Sequence, residues 1–558
     1  MTLTVVFILI FFVLIIGLII FFQYKRKITE RKLLEETWGK KTDRPRNFTM
    51  ISKYAGFDAE PTCYSLTEQT LSDIDIESLF SFVDRTESSI GQQYLFSKLV
   101  KPSISIADLQ LRKKSADFFV QNDGIRKKAK YILYQFEKKG TSAVVDFLNP
   151  GLTVKKNRFD KYIQLLSSIA FLSVLFFFVY KPVALFMIFL FGINLMIHLI
   201  FRHNNSDKLK AIRQAYQLIC TVDKLVSLQI PVVSEKIPNA YKKLANFKKT
   251  YHFLDFGIPL NDISSIIFYI LDLVKSYFLV EVHLLNFSFN EIVKNKDALC
   301  QLFIYVGQVE MALSTASICS DKTIVSCAPV FNEETELING VDLIHPLVGN
   351  CIPNSITLDQ KHAFITGSNM SGKSTFLRTI IINSILAQVL NLCFAKRFES
   401  GILKTFSSIK ISDNLQEGTS YYFEEVNIIH EMVLNSRSGK RNLFVIDEIF
   451  KGTNTIERIA LSKAVLQYLS FPGNIVIASS HDIELIELLG NKFELYHFTE
   501  SIINEQLHFD HKIKTGPLKT RNAIKILEME GFPGEIVTEA NVLTTGIENV
   551  AVLNKLIQ

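Results

Sequence analysis

The chain has 558 residues, seven cysteines and a formal net charge of +6. Its length allows two to four domains with cores large enough to fold without disulfides. The cysteines are odd in number, scattered and free of any C-x-x-C pair, which argues against a disulfide framework or a cysteine metal site and indicates a reducing compartment. The mild positive charge suits a membrane surface or a polyanion without selecting either. Hydrophobic residues make up 48% of the chain, a share that points to membrane-spanning segments.

The first predicted element is a transmembrane anchor over residues 1–23. The apolar run Leu3–Phe22 is long enough, at 1.5 Å per residue, to cross a hydrocarbon core of roughly 30 Å. Basic residues follow this run instead of preceding it, which favours an uncleaved anchor over a signal peptide and places the N-terminus outside. Residues 24–75 are then predicted to be a polar, basic linker.

A second apolar block predicts a transmembrane hairpin over residues 162–202. Two apolar arms, Tyr162–Tyr180 and Val183–Phe201, are separated by Lys181 and Pro182. Basic residues before and after the hairpin predict that both of its ends are cytoplasmic, as expected for a multi-pass protein of the cell's inner membrane. For Asn194 and His198 in the second arm, a polar contact between the arms is favoured over a functional ionisable site.

Helical periodicity predicts an all-α core in two halves, over residues 76–161 and 203–334. Within the second half, Ser265–Phe289 is apolar but interrupted by charged residues, which predicts a buried amphipathic helix instead of a further span. From residue 335 to about 510, short β-branched runs alternate with helical stretches, a pattern typical of an α/β domain with a largely parallel sheet.

A phosphate-binding loop is predicted at the start of this domain, in "FITGSNMSGKSTFLRT". Gly367, Gly372, Lys373 and Ser374 fit the pattern G-x-x-x-x-G-K-[ST] between an apolar strand and a helix. In such a loop the backbone N–H groups surround the phosphates, the lysine reaches the β- and γ-phosphates, and the serine hydroxyl ligates Mg²⁺. The predicted nucleotide-binding residues of the loop are Gly367, Ser368, Asn369, Met370, Ser371, Gly372, Lys373, Ser374 and Thr375.

Two carboxylates and a histidine complete the predicted site. The buried strand "LFVID" ends at Asp447, which is predicted to hold Mg²⁺ together with Ser374, and Glu448 follows as the residue that orients or deprotonates the attacking water. His481 follows another apolar strand and is predicted to sense the γ-phosphate, although a histidine at a strand end is often only structural. Lys373, Glu448 and His481 are the predicted catalytic residues, and ATP with Mg²⁺ is the predicted substrate and cofactor.

These segments resemble the ATPase domain of the MutS family, which is related to the ABC ATPases. The resemblance rests on "ITGSNMSGKSTFLRT", on "DEIFKGTNTIERIALSKAVLQYL" and on "SSHDIELIELL", with weaker similarity in the helical core. It implies a multidomain fold: transmembrane helices and an all-α core, then an ATPase domain of ABC/MutS type, and a helix-turn-helix over 511–558 that clasps a second subunit. The family's mismatch-reading domain has no counterpart before residue 70, and the predicted hairpin occupies the interval where the family has a DNA-gripping clamp.

The resemblance also implies a homodimer with nucleotide between the subunits. Ser420, in the region similar to the family signature, would reach the partner's γ-phosphate, and "GTNT" at Gly452–Thr455 would face the partner. Cys351, Ile352 and Asn354 lie where the family holds the adenine base, although an ordinary edge strand explains them equally well.

Two interpretations of function follow from these patterns. In the first, the protein is a membrane-anchored, MutS-like ATPase that binds DNA, with the basic segment Asn239–Phe253 as a candidate contact. In the second, the ATPase acts on a protein partner or an envelope assembly without DNA. Transport of the ABC type is disfavoured because three spans per chain provide little material for a pore.

Overall fold

The structure is a computed structural model that describes most of the chain. The described residues are 2–58, 60–152, 159–233, 235–254, 272–332, 336–368, 371–410, 421–482, 484–503, 506–518 and 523–544. They divide into two compact units, one of residues 1–60, 83–98 and 110–322, and the other of residues 61–82, 99–109 and 323–558. The first is helical and the second combines helices with two main β-sheets.

In the described part of the chain, helices predominate before residue 330, and strands and helices alternate after it. The helices before residue 330 are α1 Thr2–Glu36, α2 Phe48–Ile51, α3 Glu68–Asp73, α4 Ile76–Val83, α5 Ser89–Val100, α6 Ile106–Gln121, α7 Asp123–Glu137, α8 Phe159–Phe177, α9 Val183–Asn204, α10 Ser206–Val226, α11 Ile237–Leu254, α12 Val280–Lys294 and α13 Lys296–Cys319. The later helices are α14 Lys373–Leu390, α15 Tyr421–Asn435, α16 Thr455–Leu469, α17 Glu484–Leu489 and α18 Ala523–Met529. The strands are β1 Val330–Phe331, β2 Leu337–Leu343, β3 Asn354–Asp359, β4 His362–Thr366, β5 Arg397–Ser400, β6 Lys404–Ser408, β7 Asn442–Asp447, β8 Asn474–Ser479, β9 Phe493–His497, β10 Glu500–Ile503, β11 Gln506–Phe509 and β12 Lys514–Thr515.

Residues 24–60 of the segment predicted as a linker are instead packed within the helical unit. Helix α1 continues through residue 23 without a break and ends at Glu36. Just beyond it, the Arg126 guanidinium lies 4.3 Å from the centre of the Trp38 ring, and the buried Lys130 ammonium donates to the Leu34 carbonyl at 2.9 Å. Further along, Tyr54 is buried against Phe303, with ring centres 4.6 Å apart. These aromatic and cationic side chains pack against folded helices, whereas the side chains of a free linker would be exposed to solvent.

Helices α8 and α9 form the helical hairpin that the sequence predicts, joined by a turn at residues 178–182. Their inner faces meet at Ala170 and Leu190, where Tyr277 of the helical segment 272–277 also packs. The outer faces expose large apolar side chains, among them Phe171, Leu172, Leu175, Phe176, Leu185, Phe189, Met196 and Leu199. Such a continuous exposed apolar surface is unusual for a protein surface in water.

Two helices in the described part of the chain are long and apolar enough to cross a membrane. Helix α9 has a mean hydropathy of 2.5 over its most apolar window, and only 17% of that window is buried. Helix α13 also passes by length and composition, but 83% of its window is buried inside the protein. It is therefore the core helix of the helical unit.

The predicted single helix over Ser265–Phe289 is interrupted in the structure. Residues 265–271 lie outside the described part, residues 272–277 are helical, and Leu279 adopts a left-handed φ of 52° just before α12 begins. A left-handed backbone at a leucine breaks the helical hydrogen-bond pattern. The segment thus contributes two helical pieces instead of one.

A six-stranded sheet in the order β12-β9-β4-β8-β7-β6 organises the second unit. Strands β6, β7, β8, β4 and β9 are parallel, and β12 joins antiparallel to β9. The central strands β4 and β8 are buried along their full length, as expected of a parallel sheet covered by helices. A four-stranded sheet in the order β1-β5-β2-β3 accompanies it, and β10 and β11 form an antiparallel pair. This arrangement agrees with the predicted α/β texture.

Residues 61–82 belong to this α/β unit, whereas the sequence predicted the helical core to start at 76. The Asp73 carboxylate accepts hydrogen bonds from the Ser407 hydroxyl at 2.7 Å and from the backbone N–H of Ile409 and Lys410 at 3.0 and 2.7 Å. These bonds satisfy the backbone where β6 ends. Helix α3, which the sequence analysis assigned to the linker, is therefore part of the α/β unit.

Near the C-terminus, α18 is followed by a turn and a second helical stretch over 534–544. Gly531, in this turn, has a φ of 77°, which glycine adopts without strain. Residues 545–558 of the predicted helix-turn-helix lie outside the described part.

Candidate nucleotide site

The candidate site lies at the carboxyl ends of β4, β7 and β8, the edge where parallel α/β sheets bind ligands. After β4 the chain turns at Gly367, whose φ is 139°, and enters α14 at Gly372, whose φ is 109°. A Cβ at Gly367 would approach the Phe498 carbonyl oxygen to 2.6 Å, so only glycine fits there. The strand, loop and helix follow one another as the phosphate-loop pattern requires.

The loop is held by its own serines and by neighbouring side chains. The Ser371 hydroxyl donates to the Ser368 carbonyl at 2.6 Å, and the Ser368 hydroxyl donates to the Glu500 carboxylate at 2.9 Å. Ser371 is buried, whereas Thr375 in the first turn of α14 is exposed. The loop backbone is thus fixed by polar contacts on its protein side.

Ser374 and Asp447, which the sequence predicts to hold Mg²⁺, contact each other in the structure. The Ser374 hydroxyl donates to one oxygen of the Asp447 carboxylate, and the Ser479 hydroxyl donates to the other. A hydroxyl and a carboxylate are hard oxygen donors, the type that Mg²⁺ prefers. Because both residues stand at the sheet edge beside the loop, the donor set fits a magnesium ion bound with phosphates.

Lys373, His481 and Glu448 form a connected chain of ionisable groups. The imidazole Nε2 of His481 lies 3.1 Å from the Lys373 ammonium and 3.1 Å from the Glu448 carboxylate. It can donate to Glu448 or accept from Lys373, but it cannot do both at once. Lys373 is fully buried and also donates to the Gly367 carbonyl, and burial lowers its pKa while Asp447 and Glu448 oppose that shift. The hydrogen bond from His481, assisted by Lys451, lowers the pKa of Glu448 to about 2.

Glu448 lies in a strained turn after β7, from which its side chain contacts His481. Glu448 and Phe450 both have left-handed backbone, with φ of 56° and 57°, a conformation that costs side-chain-bearing residues free energy. The buried Glu425 carboxylate of α15 accepts hydrogen bonds from the backbone N–H of Phe450 and of Lys451, which holds this turn in place. Sequence reasoning missed Glu425, because nothing in its local pattern shows that it faces a turn 25 positions away.

Asp482, the residue after His481, is held by an ion pair with Arg458. Both oxygens of Asp482 accept from the Arg458 guanidinium, at 2.8 and 2.7 Å. This two-point contact lowers the pKa of Asp482 and fixes the backbone that carries His481. Asn454 of the "GTNT" segment caps α16 by accepting from the Glu457 N–H at 3.0 Å.

Of the predicted adenine residues, Asn354 contacts His511, which in turn contacts the loop. Asn354 donates to the His511 carbonyl at 2.9 Å and accepts from the Ile513 N–H at 2.9 Å, so its amide joins two segments of chain. Ile352 is partly exposed and Cys351 accepts a weak bond from the His345 N–H. His511 itself, which sequence reasoning missed, contacts the loop through a 3.1 Å hydrogen bond between its Nδ1 and the Ser371 carbonyl.

Three predicted site residues lie outside the described part of the chain. They are Asn369 and Met370 of the loop and Ser420 of the signature region.

The second unit is thus an α/β domain with a largely parallel sheet. Its glycine-containing loop connects a strand to a helix and lies beside the Ser374 hydroxyl and the Asp447 carboxylate. The family MutS domain V matches residues 363–548, which include the whole turn. This region of the chain is therefore similar to domain V of MutS proteins. The helical first unit lies outside that match.

Individual relatives agree with the family match. A DNA mismatch repair protein MutS of Leptospira interrogans is 34% identical over 211 residues, which are 36% of this chain and 24% of that protein. The protein of the same name from Lactobacillus acidophilus is 30% identical over 270 residues, or 46% of this chain and 31% of that protein. That from Natronomonas pharaonis is 29% identical over 233 residues, or 40% and 27%. The matched region spans only a quarter to a third of these relatives.

Proposed function

We propose that this protein is a Mg²⁺-dependent ATP hydrolase of MutS type. The observation that carries the proposal is the meeting of Ser374 with Asp447, and of Lys373 with His481 and Glu448, at one edge of the sheet. The membership of residues 363–548 in the MutS domain V family supports the same activity.

Each residue has a separate role in this proposal. The backbone of the 367–372 loop and the Lys373 ammonium bind the phosphates, and Ser374 and Asp447 hold Mg²⁺, which neutralises charge on the transferring phosphoryl group. The Glu448 carboxylate, ionised because its pKa is low, orients the attacking water. His481 holds the Glu448 carboxylate and lies beside Lys373, where it is close to the position of a bound γ-phosphate.

The test of this assignment is the Glu448→Gln variant of the full-length protein in nanodiscs. Phosphate release should fall by about 10²-fold or more, because the water loses its orienting carboxylate. Binding of ATP should remain, since Glu448 does not contribute to holding the phosphates. Glu484→Gln, which neutralises an exposed carboxylate of the same unit, serves as the matched control and should keep the wild-type rate. Undiminished turnover in Glu448→Gln would remove the assignment.

The proposal includes anchoring in the cell's inner membrane, with the ATPase domain in the cytoplasm. Its support is the apolar outer surface of the α8–α9 hairpin and the apolar first part of α1. We further propose a homodimer, in which Ser420 of each subunit completes the partner's nucleotide site. A closed twofold dimer satisfies that requirement symmetrically.

DNA is the first candidate ligand of the proposed ATPase. Helix α11 buries Leu244 and Phe247 and exposes Lys242, Lys243 and Lys249, so its basic face is available to phosphates. The name DNA mismatch repair protein carried by the relatives supports this candidate. The alternative is action on a protein partner or envelope assembly, favoured by a hairpin in the interval where the family has its DNA clamp.

Salt dependence separates the two candidates. A protein that neutralises several phosphates must lose DNA affinity steeply as salt rises. We expect binding of full-length protein to homoduplex, mismatched or branched DNA to weaken about 10-fold or more between 50 and 200 mM salt, and less steeply in a Lys242→Gln, Lys243→Gln variant. The absence of DNA binding by an active ATPase would favour the protein-partner alternative.

A further inference from the structure

Three side chains of the types that ligate metals converge where the α8–α9 hairpin meets the other helices of the helical unit. His198 comes from α9, Asp272 from the helical segment 272–277, and Glu281 from the first turn of α12. One ligand atom from each lies within 4.8 Å of the other two. His198 precedes Asp272 and Glu281 by more than 70 residues, so only the folded chain brings it to them.

The side chains at this cluster have unsatisfied polar atoms. His198 is 3% exposed, and among the described residues neither ring nitrogen has a hydrogen-bond partner. One turn earlier on α9, the fully buried Asn194 uses its amide nitrogen on the Tyr277 carbonyl, at 2.6 Å, but its oxygen has no partner in the described part. Buried polar atoms normally find a partner, since leaving one unpaired costs about 1–3 kcal/mol.

The spacing of His198 and Glu281 suits a shared cation. The His198 Nε2 and Glu281 Oε2 atoms are 3.2 Å apart, yet their geometry falls outside that of a hydrogen bond. Two ligand atoms that each lie 2.0–2.1 Å from a tetrahedral zinc ion are themselves separated by about 3.3 Å. The pair therefore has the separation of two corners of a metal site.

We propose that His198, Glu281 and Asp272 bind a divalent transition-metal ion of the zinc type. One imidazole and two carboxylates form a mixed nitrogen and oxygen donor set that suits Zn²⁺ better than Mg²⁺, which prefers oxygen donors alone. The ion supplies a partner for Nε2 of the buried His198 ring. It also joins α9 to α12 and to segment 272–277, so it stabilises the packing of the hairpin against these helices.

Arg202 is the competing cation at this place. Its guanidinium lies 3.6 Å from the Asp272 carboxylate, and both side chains are about half exposed. If the cluster were only an ion-pair network, removal of Arg202 would weaken it. A metal site predicts the opposite, because removal of a neighbouring positive charge favours a bound cation.

The test uses full-length protein in nanodiscs, stripped with a chelator and then equilibrated with Zn²⁺ in the absence of nucleotide. Zinc per chain is measured by mass spectrometry of the metal, with excess Mg²⁺ present. Wild type should hold about one zinc ion more per chain than His198→Ala or Glu281→Gln, and Arg202→Gln should hold as much as wild type or bind more tightly. Any zinc at the nucleotide site is common to all four proteins and cancels in the difference.

His203→Ala is the matched control, because it removes an exposed histidine from the same helix. It should retain the additional zinc ion. Thermal unfolding supplies a second readout, in which Zn²⁺ raises the Tm of wild type and His203→Ala but not of His198→Ala. Equal zinc content in wild type and His198→Ala, or equal loss in His203→Ala, would overturn the proposal. Glu281→Gln changes no side-chain volume, so it keeps the test valid if His198→Ala fails to fold.

Discussion

The contacts of the ionised Glu448 carboxylate with its neighbours stabilise the folded protein, in addition to the orienting role proposed for this residue. Its folded pKa is about 2 because His481 and Lys451 bind the ionised form, whereas its usual value is 4.5. A lowered pKa stabilises the fold fully above the unfolded value and loses that contribution as the pH falls toward the folded value.

We therefore predict a defined pH window for this contribution. The difference in unfolding free energy between wild type and Glu448→Gln should be constant above about pH 5 and should shrink as the pH falls from 4.5 toward 2. Denaturant unfolding across that range measures it. A difference that grows on acidification would contradict the pairing with His481.

The contact between Ser374 and Asp447 leads to a prediction about magnesium. Asp447→Asn should raise the Mg²⁺ concentration needed for half-maximal ATP hydrolysis by about 10–100-fold, because the ion loses a charged partner. A magnesium titration of the ATPase rate measures this. Asp482→Asn alters a carboxylate that pairs with Arg458 and should leave the magnesium requirement unchanged, whereas an equal shift in both variants would argue against a specific role for Asp447.

At this scale the sequence predicted the loop, the acidic pair and His481 because each follows a strand, and parallel strands bring their carboxyl ends to one edge. It could not predict Glu425 or His511. Both act through contacts between segments that are remote in sequence, and their local patterns resemble those of ordinary helix and loop residues. Asn354 is the opposite case. The sequence made it a candidate for adenine binding, whereas in the structure its amide hydrogen-bonds to the backbone of His511 and Ile513.

At the scale of elements, the helical unit depends on the close approach of α5 to α13. Gly307 of α13 lies against Tyr94, and a Cβ at Gly307 would come within 2.3 Å of the tyrosine ring. The fully buried Glu310, one turn later, accepts from the backbone N–H of Glu87 and Ser88 at 2.7 and 3.0 Å, just before α5 begins. The two helices are therefore packed too tightly for a larger residue.

Gly307→Ala should accordingly destabilise the protein by about 1–3 kcal/mol through overpacking. Gly124→Ala is the matched control, because nothing lies within 4 Å of its Cβ position in α7, and it should be neutral or slightly stabilising. Thermal or denaturant unfolding of both variants measures the difference. Equal stability of the two would mean that α5 and α13 can separate at little cost.

Helix and strand patterns predicted individual elements where a single periodicity determines them, as in β4, β7 and the α8–α9 pair. The misplaced linker shows where such patterns fail. Residues 24–75 are polar and basic, so local composition indicates a linker, but Trp38 and Tyr54 are fixed by contacts with helices far along the chain. Tertiary contacts of this kind leave no local periodicity.

For the whole molecule, the proposed topology places the turn between α8 and α9 on the side of the membrane away from the cytoplasm. The N-terminus is outside, α1 crosses inward, and the hairpin crosses outward and back, which leaves basic residues at each cytoplasmic end.

An impermeant thiol reagent tests this topology in intact cells. Lys181→Cys, in the hairpin turn, should be labelled from outside, whereas Arg437→Cys, in the turn after α15, should be labelled only after the cells are permeabilised. Wild type measures the background from the native cysteines. Labelling of both variants only after permeabilisation would place the hairpin turn in the cytoplasm and contradict the topology.

The loop at residues 367–374 is proposed to drive ATP hydrolysis. The most direct measurement is phosphate release from Mg²⁺ and ATP by the full-length protein in nanodiscs, compared with Lys373→Ala. We predict saturable, magnesium-dependent hydrolysis by the wild type and its loss in the variant, because the buried ammonium binds the phosphates. Equal rates in the two proteins, or no hydrolysis by a folded wild type, would contradict the account.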